Sequence, residues 1–140
     1  MAIFFSYRLP NFRIRNSSEV KRWLHQAFRN EKKKLKRLNI IFCSDKELLK
    51  INRGFLKHDY LTDIITFQYS KKKSPVEGEI FISAERVKKN SEKFNTTFKN
   101  ELHRVIIHGV LHLCGMKDGT SKEKSSVRKK EDFYLFKRNF

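Results

Sequence analysis

One stretch constrains the fold of this chain more than any other. Thr97 to Cys114 reads as a helix closed by Gly115, and it carries His108 and His112 four residues apart. At 3.6 residues per turn the two histidines lie about 40° apart around the axis and about 6 Å along it, so both imidazoles leave one face of the helix. Gly109 stands between them, where glycine costs about 1 kcal/mol relative to alanine in a helix interior. That cost predicts a neighbouring element packed close against the backbone at this point.

Gly115 ends the helix and lets the chain turn back, which brings Asp118 within reach of the same face. Imidazole nitrogen and carboxylate oxygen both suit zinc, and three protein ligands with an open fourth position is the arrangement of catalytic zinc. Manganese or nickel could use the same donors. The competing reading is a pair of core histidines, each of which would need its own hydrogen-bond partner. Zinc proteases of the H-E-x-x-H type place their general base where this chain has Gly109, which disfavours peptide hydrolysis by that route.

The remaining elements follow from periodicity and punctuation. Strands are predicted at Ile3 to Tyr7, Asn39 to Cys43, Thr62 to Tyr69 and Glu79 to Ser83. Helices are predicted from Ser18 to about Leu38, from a Ser44/Glu47 capping box to near Gly54, from Ala84 to Phe94, and from a Thr120/Glu123 capping box to the C-terminus. Four strands and five helices in this order indicate an α+β fold, a small mixed sheet packed with helices. The 140 residues, 39% of them hydrophobic and thirteen of them Phe, suit a single domain spanning 1–140.

Charge narrows the partner. Lys+Arg 32 against Asp+Glu 15 leaves a formal net charge of +17, which attracts polyanions and points to nucleic acid. Lys71, Lys72 and Lys73 fall on the loop between the third and fourth strands, where they reach phosphates or form a solvated turn. The longest apolar run, Met1 to Phe5, is too short for a membrane span or a signal-peptide core. Cys43 and Cys114 form no framework pattern, so a reducing cytoplasm is the expected compartment.

The segment His108-Gly109-Val110-Leu111-His112-Leu113-Cys114-Gly115-Met116-Lys117-Asp118 resembles the metal signature of the YbeY family, bacterial endoribonucleases of ribosomal RNA maturation. Asn52 through Phe67, with Asp59, Thr62, Asp63, Ile64, Ile65, Thr66 and Phe67, is similar to a strand of that family and its approach. Gly78-Glu79-Ile80-Phe81-Ile82 is similar to the strand that follows. The resemblance implies a zinc ion held in a cleft against the sheet by His108, His112 and Asp118. It also implies a single-stranded RNA substrate, a role at the 3′ end of small-subunit ribosomal RNA, and ribosomal particles or ribosome-associated proteins as partners.

Two positions depart from the family pattern. Its third metal ligand is a histidine where this chain has Asp118, and its arginine falls on Leu56. Arg53 or Lys57 is expected to replace that arginine, and Glu79 or Asp63 to assist the chemistry. A ribosome-assembly factor with a structural zinc and no nuclease activity is the alternative. Glu101, about 10 Å along the helix from His108, is too far to be a ligand and is expected in solvent or near the helix terminus. His103, about 140° around the helix from His108, is expected at the surface.

Overall fold

The computed structural model describes residues 2–58 and 61–140, so Asp59, one of the positions carrying the family resemblance, lies outside the described residues. The element order is β1 (Ile3–Tyr7), α1 (Ser17–Asn30), β2 (Leu35–Cys43), α2 (Asp45–Phe55), β3 (Ile64–Gln68), β4 (Val76–Ser83), α3 (Ala84–Lys93), α4 (Phe98–Leu113) and α5 (Ser121–Phe136). The sheet runs β1-β2-β4-β3, with β2 parallel to both β1 and β4, and β3 antiparallel to β4. The expected α+β architecture, a small mixed sheet packed with helices, is the one observed.

Strand alternation divides the sheet into two apolar faces. Ile3, Leu38, Ile40, Phe42, Ile80 and Ile82 face α1 and α4, while Ile41, Cys43, Ile65 and Phe81 face Leu48 and Ile51 of α2. Because both faces are covered there, the C-terminal halves of the central strands, Ile40 to Cys43 and Ile80 to Ile82, are unbroken apolar runs. Helix α4 is covered on more than one side. Leu102, Val105, Ile106, Ile107, Val110 and Leu111 are all buried, and Val127, Tyr134 and Leu135 of α5 belong to the same core.

Strand β4 begins at Val76 rather than Glu79, β3 is the shorter span Ile64–Gln68, α5 ends at Phe136, and two helix ends differ from the sequence reading in how they are built. The first helix stops at Asn30, and Leu35 and Leu38 belong to β2 instead. The stop is a Schellman motif: Lys32 N–H donates to the Arg29 carbonyl (3.0 Å) and Lys33 N–H to the Phe28 carbonyl (3.0 Å). Its left-handed residue is Lys32, φ 59°, where a glycine would have announced the stop. The second difference is at α2. Ser44 accepts from Glu47 N–H (3.1 Å), but the Glu47 carboxylate turns away to pair with Arg8, so only half of the expected capping box forms. The Thr120/Glu123 box of α5 is complete.

His103 is buried, 2% exposed, contrary to the surface expectation. A helix with a single apolar face would have left it in solvent, but the C-terminal segment and α1 close over this side of α4. Its ring lies between Trp23 (5.6 Å between centroids) and Phe140 (5.5 Å), and Arg138 Nη1 donates to its Nδ1 (2.8 Å). Burial, with the nearby charges of Arg138 and Lys99, lowers its pKa to about 4.

Candidate metal centre

The last two turns of α4 present His108 and His112 toward one point, with their Nε2 atoms 3.1 Å apart. Gly115, at φ +101°, forms a second Schellman motif: its N–H donates to the His112 carbonyl (2.9 Å) and Met116 N–H to the Leu111 carbonyl (3.1 Å). The chain reverses there, and the capping box at Thr120 anchors the far end of the short connection. Asp118 is thereby held over the histidines, its Oδ2 3.5 Å from His108 Nε2 and 3.3 Å from His112 Nε2.

These distances suit a tetrahedral ion. Metal–ligand bonds of 2.0–2.1 Å at tetrahedral angles require ligand–ligand separations of about 3.3 Å. The triangle of 3.1, 3.3 and 3.5 Å brackets that value. All three side chains are partly exposed, His108 at 26%, His112 at 29% and Asp118 at 38%, which leaves one side open to water and substrate.

Glu131, on α5, orders the outer side of His108. Its Oε2 lies 2.6 Å from His108 Nδ1, while Arg104 Nη1 donates to its Oε1 (2.9 Å) and Arg104 Nη2 donates to Asp132 (2.7 Å). A proton on His108 Nδ1 is donated to Glu131, which leaves the Nε2 lone pair directed into the triangle. Two acceptors, His108 Nε2 and the Asp118 carboxylate, then converge beside His112 Nε2. A second proton on His108, a proton on His112 or a cation satisfies them, and only the cation satisfies all three at once. Burial opposes charge on His108, but the hydrogen bond to Glu131 and the fields of Glu131, Asp118 and Asp63 outweigh it and raise its pKa.

His108 and Asp118 line a cleft of about 320 Å3 that also includes Asp63, Glu101, Arg104 and Arg128. Asp63 stands just before β3, and burial raises its carboxyl pKa. Glu101 lies in the first turn of α4, as expected, but it is buried rather than solvated, 6% exposed; burial and neighbouring Asp63 raise its pKa. Gly109 lies where the sheet comes closest. A Cβ there would sit 2.8 Å from Ile64 Cδ1 and 2.9 Å from Ile80 Cδ1, so the close packing predicted from its position between the histidines is supplied by β3 and β4.

The structure brings some of the other candidates near the cleft and leaves others away. Asp63 reaches it. Glu79 does not: alternation along β4 turns it to the face opposite α4, where Tyr69 Oη donates to it (2.6 Å). Arg53 lies in the last turn of α2, the helix on that opposite face, and Lys57 follows in a left-handed conformation, φ 55°. Neither residue lines the cleft at His108. Lys71, Lys72 and Lys73 lie in the β3–β4 hairpin connection, in a separate groove.

Glu131 escaped the sequence reading. The available signal was its place on a buried stripe, Val127, Glu131, Tyr134 and Leu135, where a carboxylate at an apolar position demands a cationic or hydrogen-bonding partner.

The sequence model described as "Endoribonuclease YbeY" matches residues 9–139. A protein named Endoribonuclease YbeY from Cytophaga hutchinsonii is 50% identical over 138 residues, covering 99% of this chain and 96% of its own. One of the same name from Amoebophilus asiaticus is 45% identical over 133 residues, 95% of this chain and 90% of its own. Among solved structures, the solution structure of TM1509 from Thermotoga maritima superposes with a TM-score of 0.65 at 29% identity, covering 97% of this chain and 89% of that one.

Proposed function

The chain belongs to the YbeY family of metal-dependent endoribonucleases, and on that premise we propose that it is a zinc endoribonuclease cutting single-stranded RNA in the maturation of small-subunit ribosomal RNA. The observation that supports the metal assignment is the donor triangle of His108, His112 and Asp118, whose edges match tetrahedral coordination and whose outer side is open. When bound there, zinc supplies Lewis acidity toward a phosphate oxygen and acidifies water.

The side chains around the triangle supply the rest. Glu131 keeps the His108 ring oriented and its Nδ1 protonated, and Arg104 holds Glu131 in place. Lys124 and Arg128, on the cleft wall formed by α5, attract the phosphodiester and offset charge that develops at its oxygens. Asp63, with its pKa raised by burial, stands in the same cleft as a carboxyl able to hold or pass a proton. Binding through the sugar–phosphate backbone makes recognition salt-sensitive and leaves the choice of site to RNA shape and ribosomal context. The cytoplasm and ribosomal particles are the setting this reading implies, with residues 1–140 acting as one domain. Among the described residues no helix is long and apolar enough to cross a membrane.

The test is cleavage of a ribosomal RNA 3′ fragment, single-stranded or annealed to its complement, by zinc-loaded wild type and His112→Ala. Cleavage of the single strand by wild type alone, with zinc lost from the variant, supports the proposal. A wild type that carries one zinc per chain and binds ribosomal particles but cuts neither RNA would transfer the reading to an assembly factor with a structural zinc.

A further inference from the structure

Two lysine triplets far apart in sequence meet beside the metal centre. Lys32, Lys33 and Lys34 precede β2, and Lys71, Lys72 and Lys73 precede β4. The parallel pairing of these strands starts with Leu35 opposite Val76, and Val76 N–H donates to the Lys34 carbonyl (2.8 Å). Both triplets are therefore fixed at the same end of the sheet. Both triplets line a groove of about 890 Å3, together with Leu113 and Gly115 at the end of α4. Gly115 lies three residues after His112 and three before Asp118, so the groove borders the turn that joins these two donors.

All six lysines are exposed. Among the described residues none of them is within ion-pair distance of a carboxylate, whereas nearby Lys36 and Lys130 pair with Glu77 and Glu31. One or two cations would complement the carbonyl end of α4. Six of them repel one another across an open channel that otherwise presents Gln68, Ser70 and Ser74. Such a surface is matched by a flexible polyanion with evenly spaced charges.

We propose that the groove between Lys32–Lys34 and Lys71–Lys73 is a binding track for the phosphate backbone of single-stranded RNA, separate from the cleft at His108 and continuous with the donor triangle through Gly115. This rests on the endoribonuclease reading for its ligand, and it extends that reading from the scissile phosphate to the flanking strand. The track gives affinity and processing of long substrates, without base recognition.

The experiment compares full-length wild type with a quadruple variant, Lys33→Gln, Lys34→Gln, Lys71→Gln and Lys72→Gln. Lys32 and Lys73 are kept because each occupies a left-handed turn position, φ 59° and φ 69°. A control variant removes four exposed lysines elsewhere: Lys46, Lys50, Lys88 and Lys129. Binding of single-stranded RNA is measured against salt, and cleavage is measured on a long strand and on an oligonucleotide too short to span both cleft and groove.

Each phosphate contact to a single strand contributes about 0.7 to the slope of log affinity against log salt, so the quadruple variant should lose about 2–3 of slope. It should also cut the long strand at least tenfold less efficiently and the short one at the wild-type rate, while the control variant loses much less of both. Unchanged slope and cleavage in the quadruple variant would overturn the proposal, as would an equal loss in the control, which would show a diffuse field. If no protein cuts RNA but the slope falls only in the quadruple variant, the track stands and the nuclease reading falls.

Discussion

Glu131 Oε2 lies 2.6 Å from His108 Nδ1, and the other oxygen of the same carboxylate accepts from Arg104 at 2.9 Å. One buried acid thus joins the ring that faces the donor triangle to a cation on the same helix as that ring. Glu131 is 4% exposed, so this acid would be costly without both partners.

Removing the carboxylate should show in metal affinity before anything else. Glu131→Ala is expected to weaken zinc binding about 10–100-fold, because the His108 ring loses its anchor and its Nδ1 partner. Glu131→Gln retains an acceptor and should lie between the two. Competition against a chelating dye measures both. An affinity for Glu131→Ala equal to wild type would remove Glu131 from the metal centre.

Asp118→His tests the charge of the ligand set. Replacing the carboxylate by a neutral imidazole raises the formal charge of a zinc site from +1 to +2, which makes bound water more acidic. The acidic limb of the cleavage pH profile should move down by about one pH unit. A limb at or above that of wild type would show that Asp118 does not set the acidity.

Gly109→Ala separates helix propensity from packing. In an isolated helix the substitution would be favourable by about 1 kcal/mol. Here the new methyl meets the Cδ1 atoms of Ile64 and Ile80 below 3.0 Å, so those side-chain ends must rotate away or α4 must shift from the sheet. A net loss of about 1–3 kcal/mol in urea unfolding is expected, with weaker zinc retention. A more stable variant would mean that the sheet yields at no cost.

His103 makes stability depend on pH. Its pKa is about 4 in the folded chain against an ordinary 6.5. The unfolded chain therefore takes up the proton first, and stability is lost as pH falls from about 6.5 toward 4. Between pH 7.5 and 5.5 this residue should cost about 1 kcal/mol. His103→Gln should lack that part of the decline in parallel urea titrations. Identical declines in the two proteins would show that His103 does not titrate differently on folding.

Much of this was legible because it depends on short-range rules. Gly115 announced the end of α4, Thr120 and Glu123 the start of α5, and the spacing of His108, His112 and Asp118 a common point of convergence. The length of α1 was not legible, since its stop uses Lys32 in a conformation that the residue type does not advertise. Burial of His103 was not legible either, because helical periodicity describes one face and α4 is covered on several.

Periodicity, caps and ligand chemistry act within a few residues, so the amino-acid order alone gives most of the local elements and the candidate donors. Long-range packing set the rest. It placed Glu131 behind His108, turned Glu79 to the opposite face of the sheet, and brought Lys32–Lys34 beside Lys71–Lys73. Those relationships arise from helix packing, strand alternation and the parallel register of β2 with β4, which join residues remote along the chain through contacts that no local pattern encodes.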